Sequence, residues 1–334
     1  MVADISGGAG RLVAIIVTCN RLAQLQAAIA RLCAAPEAEL SAIVVVDNGS
    51  DDGTWAWLNA QSDPRLHLLE LGENRGGAGG FETGMRHAMD RLSPDWLMIM
   101  DDDARPKPGA LTHFHSAPRD QVAAWAAAVT YPSGEICEMN RPSQNPFWHT
   151  RRFFGALVQG RRGFHISDAE FTGPEICDID VTSFVGFFIS APTVRQIGYP
   201  DPELFIYGED VLYTLALRRA GGRMKFDPNL GFEHGFEHDC KASEPGSQVF
   251  SPVWRAYYHH RNKIMIYRQV AGPLFWPILS LFLPKWLLLQ HRYGPEAPIF
   301  RTLLKRAIRD GIKGDTSRSF DEVRAICDAA KRPE

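Results

Sequence analysis

Three consecutive carboxylates, Asp101, Asp102 and Asp103, follow the apolar run WLMIM at residues 96–100. Like charges a few ångströms apart repel one another, so such a cluster is costly unless something positive binds to it. Mg²⁺ and Mn²⁺ take oxygen ligands and also bridge the phosphates of a bound nucleotide. An isolated acidic triplet is more often a solvated turn. The buried strand that WLMIM predicts favours a metal site, because it would hold the carboxylates at a crevice.

A second acidic pair, Glu209 and Asp210, precedes a helix that is predicted over residues 210–220. Free N–H groups and the dipole at a helix N-terminus hold a carboxylate in place and keep it ionised. Asp210 is therefore either a helix N-terminal residue with no further role or a general base. As a base, it would remove a proton from an acceptor hydroxyl.

The segment GFEHGFEH at 231–238 contributes two histidines, His234 and His238. A single histidine is more often a core or surface residue than a ligand, although imidazole binds transition metals well. His234 would end a strand that is predicted over residues 224–232. The residue pattern by itself leaves both histidines as candidate metal ligands.

The glycine-rich stretch at 73–80 lies between a predicted strand, 66–71, and a predicted helix, 81–92. A phosphate-binding loop has this position. The stretch fits neither common nucleotide motif: G-x-G-x-x-G starting at Gly77 meets Glu82 at its third glycine position, and no G-K-[ST] is present. A dinucleotide-binding dehydrogenase and a P-loop kinase are both disfavoured.

These groups need a scaffold that brings strand ends together, and the hydrophobic pattern predicts one. Apolar runs at 12–18 and 42–46 are typical of buried parallel strands, and helices are predicted at 22–34 and 55–61. This alternation predicts an α/β fold with a doubly wound, mostly parallel sheet. Ligands bind such sheets at the carboxyl ends of the strands, where Asp47 and the aspartate triplet both fall.

Beyond residue 104 the pattern is less regular. Residues 132–175 are rich in proline, glycine, arginine and aromatic residues, and we expect long loops near an acceptor site there. A further strand is predicted at 182–190.

Composition excludes several classes of protein. The 334 residues are 45% hydrophobic and 22% charged, as in a globular protein, and the net charge of −3 argues against a nucleic-acid partner. The six cysteines form no C-x-x-C pair, so we expect reduced thiols and neither a disulfide framework nor a zinc site. No basic stretch leads into an apolar core near the N-terminus, so the expected location is the cytoplasm.

Together these stretches resemble the large inverting glycosyltransferase family 2, which has the GT-A fold. The matching motifs occur in family order: VAIIVTCNR (13–21), IVVVDNGSDDGT (43–54), NRGGAGGF (74–81), WLMIMDDD (96–103), FIYGED (205–210) and FEH (232–234). NRGGAGGF combined with DDD looks most like the galactofuranosyltransferase branch. The segment YYHHRNKI (257–264) resembles a motif that is found there and in rhamnosyltransferases.

The resemblance implies a metal-assisted reaction. Asp101 and Asp103 would bind Mn²⁺ or Mg²⁺, and His234 would complete the metal shell. Asp102 would lie near the ribose or the metal. Asp210 would be the catalytic base in a single displacement that inverts the anomeric centre.

The resemblance also implies the residues that bind a nucleotide-sugar donor. Thr18 and Arg21 would border the nucleotide, and Asp47 would accept a hydrogen bond from a pyrimidine base. Arg75 and the amides after it would approach the diphosphate. The implied donor is UDP-galactofuranose, with dTDP-rhamnose as the alternative. The implied acceptor is a glycan or a lipid-linked glycan in cell-surface polysaccharide synthesis.

The implied organisation is a GT-A catalytic domain at 11–265, with a nucleotide-binding half at 11–103 and an acceptor half at 104–265. Two other functions stay open. A sugar nucleotidyltransferase usually has a glycine-rich basic loop directly after the first strand, whereas this chain has TCNR at 18–21. A non-catalytic nucleotide-sugar-binding protein would need no base, whereas this chain has Asp210.

The remaining residues, 266–334, are predicted to form a helical C-terminal region. Residues 271–289 are apolar with only Lys285 charged, a length near that of a membrane span, but three prolines argue against an uninterrupted spanning helix. A basic amphipathic helix follows, so we expect peripheral contact of residues 271–313 with the inner face of the cytoplasmic membrane. Two alternatives stay open: the helices cover the catalytic domain, or they join subunits of a homo-oligomer.

Overall fold

The structure is a computed structural model, and it describes residues 10–119, 121–159, 164–235 and 249–329. The strands are β1 (Leu12–Thr18), β2 (Ala42–Asp47), β3 (Leu66–Glu70), β4 (Trp96–Asp101), β5 (Ala104–Pro106), β6 (Ala124–Thr130), β7 (Cys177–Ile179), β8 (Phe187–Ser190) and β9 (Met224–His234). The helices are α1 (Leu22–Cys33), α2 (Thr54–Asn59), α3 (Gly76–Arg91), α4 (Ala110–Ser116), α5 (Thr150–Gln159), α6 (Asp168–Thr172), α7 (Ala191–Ile197), α8 (Glu209–Arg219), α9 (Arg255–Ala271), α10 (Phe275–Leu288), α11 (Ala297–Lys313) and α12 (Phe320–Ala329).

These strands form one sheet in the order β3-β2-β1-β4-β8-β6-β9-β5, and β7 pairs with β9. The first four positions in that order are parallel, and β6 is parallel to β9. Strand β8 is antiparallel to both its neighbours, and β5 and β7 are antiparallel to β9. The α/β fold with a mostly parallel sheet is thus confirmed, and the antiparallel pairs are confined to its second half.

Helices cover both faces of the sheet because successive strand residues point to opposite sides. In β1, Ile16 joins the core cluster on one face with Leu25 of α1 and Phe114 of α4. Its neighbour Ile15 joins the opposite cluster with Met85 of α3. Strands made of continuous apolar residues are therefore covered by helices on both faces, as the sequence predicts.

The glycine-rich stretch that was predicted to be a loop is helical from Gly76 onward. Its glycines serve close packing. A Cβ on Gly84 would lie 2.7 Å from Ile15 Cγ2, and one on Gly80 would clash with Val17 Cγ1. Helix α3 can approach β1 this closely only because side chains are missing at these positions.

The prediction of long loops over 132–175 is wrong in part, because α5 and α6 lie within this range. Helix α6 begins with a capping box: Ser167 Oγ accepts from the Glu170 N–H at 3.2 Å, and the Glu170 carboxylate accepts from the Ser167 N–H at 2.7 Å. The strand predicted at 182–190 is confined to its last four residues, because Gly186 has a left-handed φ of +67°.

Helices α9 to α12 share one hydrophobic cluster, which also includes Phe205 of the catalytic part. Helix α9 runs across residue 265, and the division of domains at that residue stays a prediction. Among the described residues, the helical run Arg255–Lys313 is long and apolar enough, by length and composition alone, to cross a membrane, and its most apolar part is largely unburied. Two of the three prolines expected to interrupt a helix over 271–289, Pro277 and Pro284, lie inside α10 and do not break it, and the irregular backbone is at Gly272 (φ +52°) and Gly294 (φ +50°).

Candidate active site

The carboxyl ends of β1 and β4 bring Thr18 and the aspartate triplet together, because the two strands are adjacent and parallel, with Val17 in register with Asp101. In the sheet, β2 and β3 lie on one side of β1, and β4 lies on the other side. Such a reversal opens a crevice at the strand ends, where α/β proteins bind ligands. Thr18 Oγ1 donates to Asp102 Oδ2 at 2.7 Å across this crevice, and Asp102 is buried.

Arg21, three residues beyond the end of β1, neutralises part of the acidic cluster. Its Nη1 lies 2.7 Å from Asp103 Oδ2 and 3.3 Å from Asp102 Oδ1. The resemblance implies that Arg21 borders the nucleotide, which stays a prediction, and the structure shows its contact with the aspartates.

His234 reaches the cluster because β5 pairs with β9, with Ala104 opposite His234. The ring Nε2 lies 3.1 Å from Asp103 Oδ1. One ligand atom from each of Asp101, Asp103 and His234 lies within 4.8 Å of the other two. Two carboxylates and an imidazole suit a transition metal such as Mn²⁺, and the carboxylates also suit Mg²⁺. His238 lies outside the described residues.

A buried thiol orients the imidazole. Cys137 donates its S–H to Asn140 Oδ1 at 2.9 Å, and its sulfur lies 3.6 Å from His234 Nδ1. Because the thiol proton points at Asn140, the sulfur is left to accept from Nδ1–H. This arrangement directs Nε2 toward the carboxylates, as the outer partners of metal-binding histidines do.

The pKa values at the cluster reflect crowded carboxylates. Burial, reinforced by the charge of Asp103, raises the pKa of Asp101 to about 7. Burial also raises the pKa of Asp102 to about 6, although Thr18 and Arg21 oppose the shift. Burial raises the pKa of Asp103, but His234 and Arg21 together outweigh burial, so this pKa is lowered. Burial lowers the pKa of His234, but Asp103, Cys137 and Asp101 together outweigh burial and raise it to about 10. A divalent cation would relieve this repulsion, so the residues fit the implied metal.

Asp210 and Glu209 begin α8 close to this cluster, and the charge of Asp210 contributes to the raised pKa of Asp101. Burial raises the pKa of Asp210 to about 6, against the Val211 N–H that donates to Oδ1 at 2.7 Å. Burial and the charge of Asp210 raise the pKa of Glu209 to about 8. The Val211 N–H stabilises the anion of Asp210, whereas Glu209 Oε2 is buried with no hydrogen-bond partner among the described residues, and this difference favours Asp210 as the base.

The predicted donor residues Asp47 and Arg75 lie on neighbouring elements. Asp47 is buried at the end of β2, opposite Thr18, and accepts from the Ser50 N–H at 3.0 Å. Arg75 has an exposed side chain just before α3. Asn48 joins these elements: its Oδ1 accepts from the Arg75 N–H at 2.9 Å, and its Nδ2 donates to the Gly76 carbonyl at 2.9 Å.

Two contributors lack an assigned role in the sequence analysis. Asn48 lies within the VDNGS motif, so its position beside Asp47 was a usable signal. Cys137 carries no sequence signal, because it is 97 residues from His234 and only the fold joins them.

The site is a crevice at a switch of strand order, with two carboxylates and an imidazole that could hold a metal ion and a further carboxylate beside them, which is an arrangement suited to an α/β enzyme. The family model described as Glycosyl transferase family 2 matches residues 13–172. Galactofuranosyltransferase GlfT1 of Mycobacterium tuberculosis (strain ATCC 25618 / H37Rv) is 30% identical over 285 residues, which cover 82% of this chain and 86% of that protein. GlfT1 of Mycolicibacterium smegmatis is 27% identical over 260 residues, covering 73% and 77%. The chain belongs to glycosyltransferase family 2 and is a glycosyltransferase.

Solved structures agree on the fold. GalNAc-T7 with UDP, GalNAc and Mn²⁺ is similar with a TM-score of 0.52 at 12% identity, covering 95% of this chain and 56% of that one. S. aureus TarS 1-349 in complex with UDP has a TM-score of 0.50 at 15% identity, covering 96% and 90%. At these identities the likeness establishes the GT-A architecture alone.

Proposed function

We propose that this glycosyltransferase moves galactofuranose from UDP-galactofuranose to a glycan or lipid-linked glycan in cell-surface polysaccharide synthesis, with inversion at the anomeric carbon. The observation that carries the proposal is the carboxylate of Asp210 at the start of α8, beside the group of Asp101, Asp103 and His234. The galactofuranosyltransferases at 27% and 30% identity support this choice of donor.

In the proposed reaction, Asp210 takes the proton of the attacking acceptor hydroxyl as that oxygen bonds to the anomeric carbon. Asp101, Asp103 and His234 would hold Mn²⁺ or Mg²⁺. Such an ion neutralises the charge that develops on a leaving nucleoside diphosphate. Glu209, protonated at neutral pH, would keep like charge away from the acceptor.

The other residues of the crevice would bind the donor. Thr18 and Arg21 hold Asp102 at the strand ends, where it would meet the ribose or the metal. Asp47 would accept from the pyrimidine N3–H. Arg75, with its exposed side chain, would approach the diphosphate.

A donor screen tests the proposal. Purified enzyme with a lipid-linked glycan acceptor and Mn²⁺ would be given UDP-galactofuranose, dTDP-rhamnose or GDP-mannose, and nucleotide release would be measured. We expect turnover with UDP-galactofuranose. Turnover confined to dTDP-rhamnose would favour the alternative that the YYHHRNKI segment suggests, and turnover confined to GDP-mannose would exclude both donors.

We further propose that α10 rests on an anionic membrane surface on the cytoplasmic side, where a lipid-linked acceptor would be within reach. Its outer face is apolar, with Trp276 60%, Leu281 68% and Leu288 64% exposed, and Lys285 lies among these residues. Helix α11 adds five exposed basic side chains: Arg301, Lys305, Arg306, Arg309 and Lys313. At about 1.5 Å per residue, α10 is about 21 Å long, short of a hydrocarbon core of about 30 Å, so it suits the interface.

Co-sedimentation with vesicles tests this placement. Wild type should sediment with phosphatidylglycerol vesicles and not with phosphatidylcholine alone. Changing Trp276, Leu281 and Leu288 together to serine should abolish binding. The matched control is Met139→Ser, which alters an equally exposed side chain (67%) of the catalytic part and should leave binding intact. Undiminished sedimentation of the triple variant would exclude α10 as the contact.

A further inference from the structure

The segment that leads into Asp210 has an unusual backbone. A short 3₁₀ helix, Pro202–Leu204, is followed by Phe205 with φ +64° and Tyr207 with φ +68°. Residues with a side chain rarely adopt the left-handed region, and they do so where the surrounding structure enforces it. The turn therefore needs support from outside itself.

Asn262 of α9 supplies part of that support. Its side chain is fully buried, and its Nδ2 lies within hydrogen-bond distance of the carbonyl oxygens of Leu204 (3.0 Å), Ile206 (2.9 Å) and Tyr207 (2.8 Å), which share its two N–H hydrogens. A single amide thus meets three carbonyls of one turn, which orients that turn toward α9.

Arg261 completes the support and fixes the amide of Asn262. Its Nε donates to Asn262 Oδ1 at 2.8 Å, so the NH₂ of Asn262 must face the turn. Its Nη2 donates to the carbonyls of Glu203 (2.9 Å) and Leu204 (3.0 Å). The guanidinium is fully buried and lies over the rings of Tyr257 and Tyr258, so it is rigidly held.

Helix α3 holds the opposite side of the turn. The Ala78 N–H donates to the Phe205 carbonyl at 3.0 Å, and a Cβ on Gly76 would clash with that oxygen. The turn is therefore fixed between the donor-side helix α3 and the C-terminal helix α9, and Asp210 begins α8 directly after it.

We infer that Asn262 and Arg261 are positioning residues for the catalytic base, acting through the turn at residues 203–208. The inference rests on the proposed function, in which Asp210 is the base. Helix α9 thereby contributes to transfer through the turn that it supports. A displacement of a catalytic group by about 1 Å can cost about 10²-fold in rate, so loss of these hydrogen bonds should affect kcat.

Asn262→Ala is the first test, with Ile264→Val as the matched control on the same helix. Ile264 is equally buried, but its side chain faces Gly311 of α11. Asn262→Ala should lower kcat at least tenfold while the Kd for UDP with Mn²⁺, measured by calorimetry, changes less than about threefold. Ile264→Val should lower the melting temperature and leave kcat within about twofold. Equal kcat for Asn262→Ala and wild type would overturn the inference.

If Asn262→Ala fails to fold, Arg261→Lys tests the same positioning role, because lysine keeps the positive charge but loses the hydrogen bond to Asn262 Oδ1.

A double variant then separates positioning from general damage to the fold. If Asn262 acts through Asp210, adding Asn262→Ala to Asp210→Asn should lower kcat no further than Asp210→Asn alone. Additive losses would overturn the positioning role. Wild-type turnover by Asp210→Asn would instead reject the base itself, which is a failure of the proposed function.

Discussion

Replacing Asp210 with asparagine removes the proposed base while it keeps the size and hydrogen-bonding capacity of the side chain. Loss of a well-placed base typically lowers the rate by about 10²–10⁴-fold. We expect Asp210→Asn to lower turnover within that range and to leave the affinity for UDP nearly unchanged. The neighbouring Glu209→Gln should stay within a few-fold of wild type at pH 7, because glutamine resembles the protonated form that a pKa of about 8 predicts.

The pH profile makes the assignment quantitative. Burial raises the pKa of Asp210 to about 6. A base works in its ionised form, so activity should be present above this pKa and should fall as the pH falls through it. Active enzyme would carry a cation beside Asp101, which favours the anion, so the midpoint of the limb should lie below pH 6. Below that midpoint kcat should fall about tenfold for each further pH unit.

The assay is nucleotide release between pH 4.5 and 8, with UDP binding by calorimetry on the same preparations. The Asp210→Asn variant should turn over more slowly at every pH, and its kcat should no longer fall at acidic pH. The reasoning would be refuted if Asp210→Asn turned over within a few-fold of wild type while Glu209→Gln was nearly inactive. In that case Glu209, and not Asp210, would be the base.

Three further predictions concern the metal, its histidine and the sheet. EDTA should abolish transfer and Mn²⁺ or Mg²⁺ should restore it, whereas full activity in EDTA would exclude a required metal. His234→Ala should weaken Mn²⁺ binding in calorimetry and lower activity far more than His238→Ala, and the reverse order would identify His238 as the ligand. Gly84→Ala should reduce the free energy of unfolding by about 1–3 kcal/mol in urea denaturation, because its Cβ would lie 2.7 Å from Ile15 Cγ2. Gly155→Ala, with open space at its Cβ, should not destabilise, and equal effects would contradict close packing of α3 on β1.

The first half of the sheet could be predicted from the sequence because its signals are local. Strands β1, β2 and β4 are continuous apolar runs, and a chain that alternates such runs with helices has few arrangements open to it. The ends of these strands therefore meet at one edge, which was sufficient to group Asp47 with the aspartate triplet.

Other local signals were present and were misinterpreted. The glycines of α3 suggested a loop because glycine is common in loops, whereas close packing on β1 uses the same residue type for a different reason. The capping box of Ser167 and Glu170 was visible within the expected loop region, but a helix of five residues has too little periodicity to predict.

By itself, the sequence determined the composition of the site: the aspartates, the carboxylate at the start of α8 and the candidate histidines. Only the tertiary structure decided that His234 lies against Asp103, because that contact depends on the register of β5 and β9 across 131 residues. It also decided the environments of Cys137 and Asn262, whose partners lie on distant elements. Periodicity and turn chemistry act over a few neighbouring residues, whereas burial, pKa and hydrogen-bond partners depend on which distant segments the packing brings together.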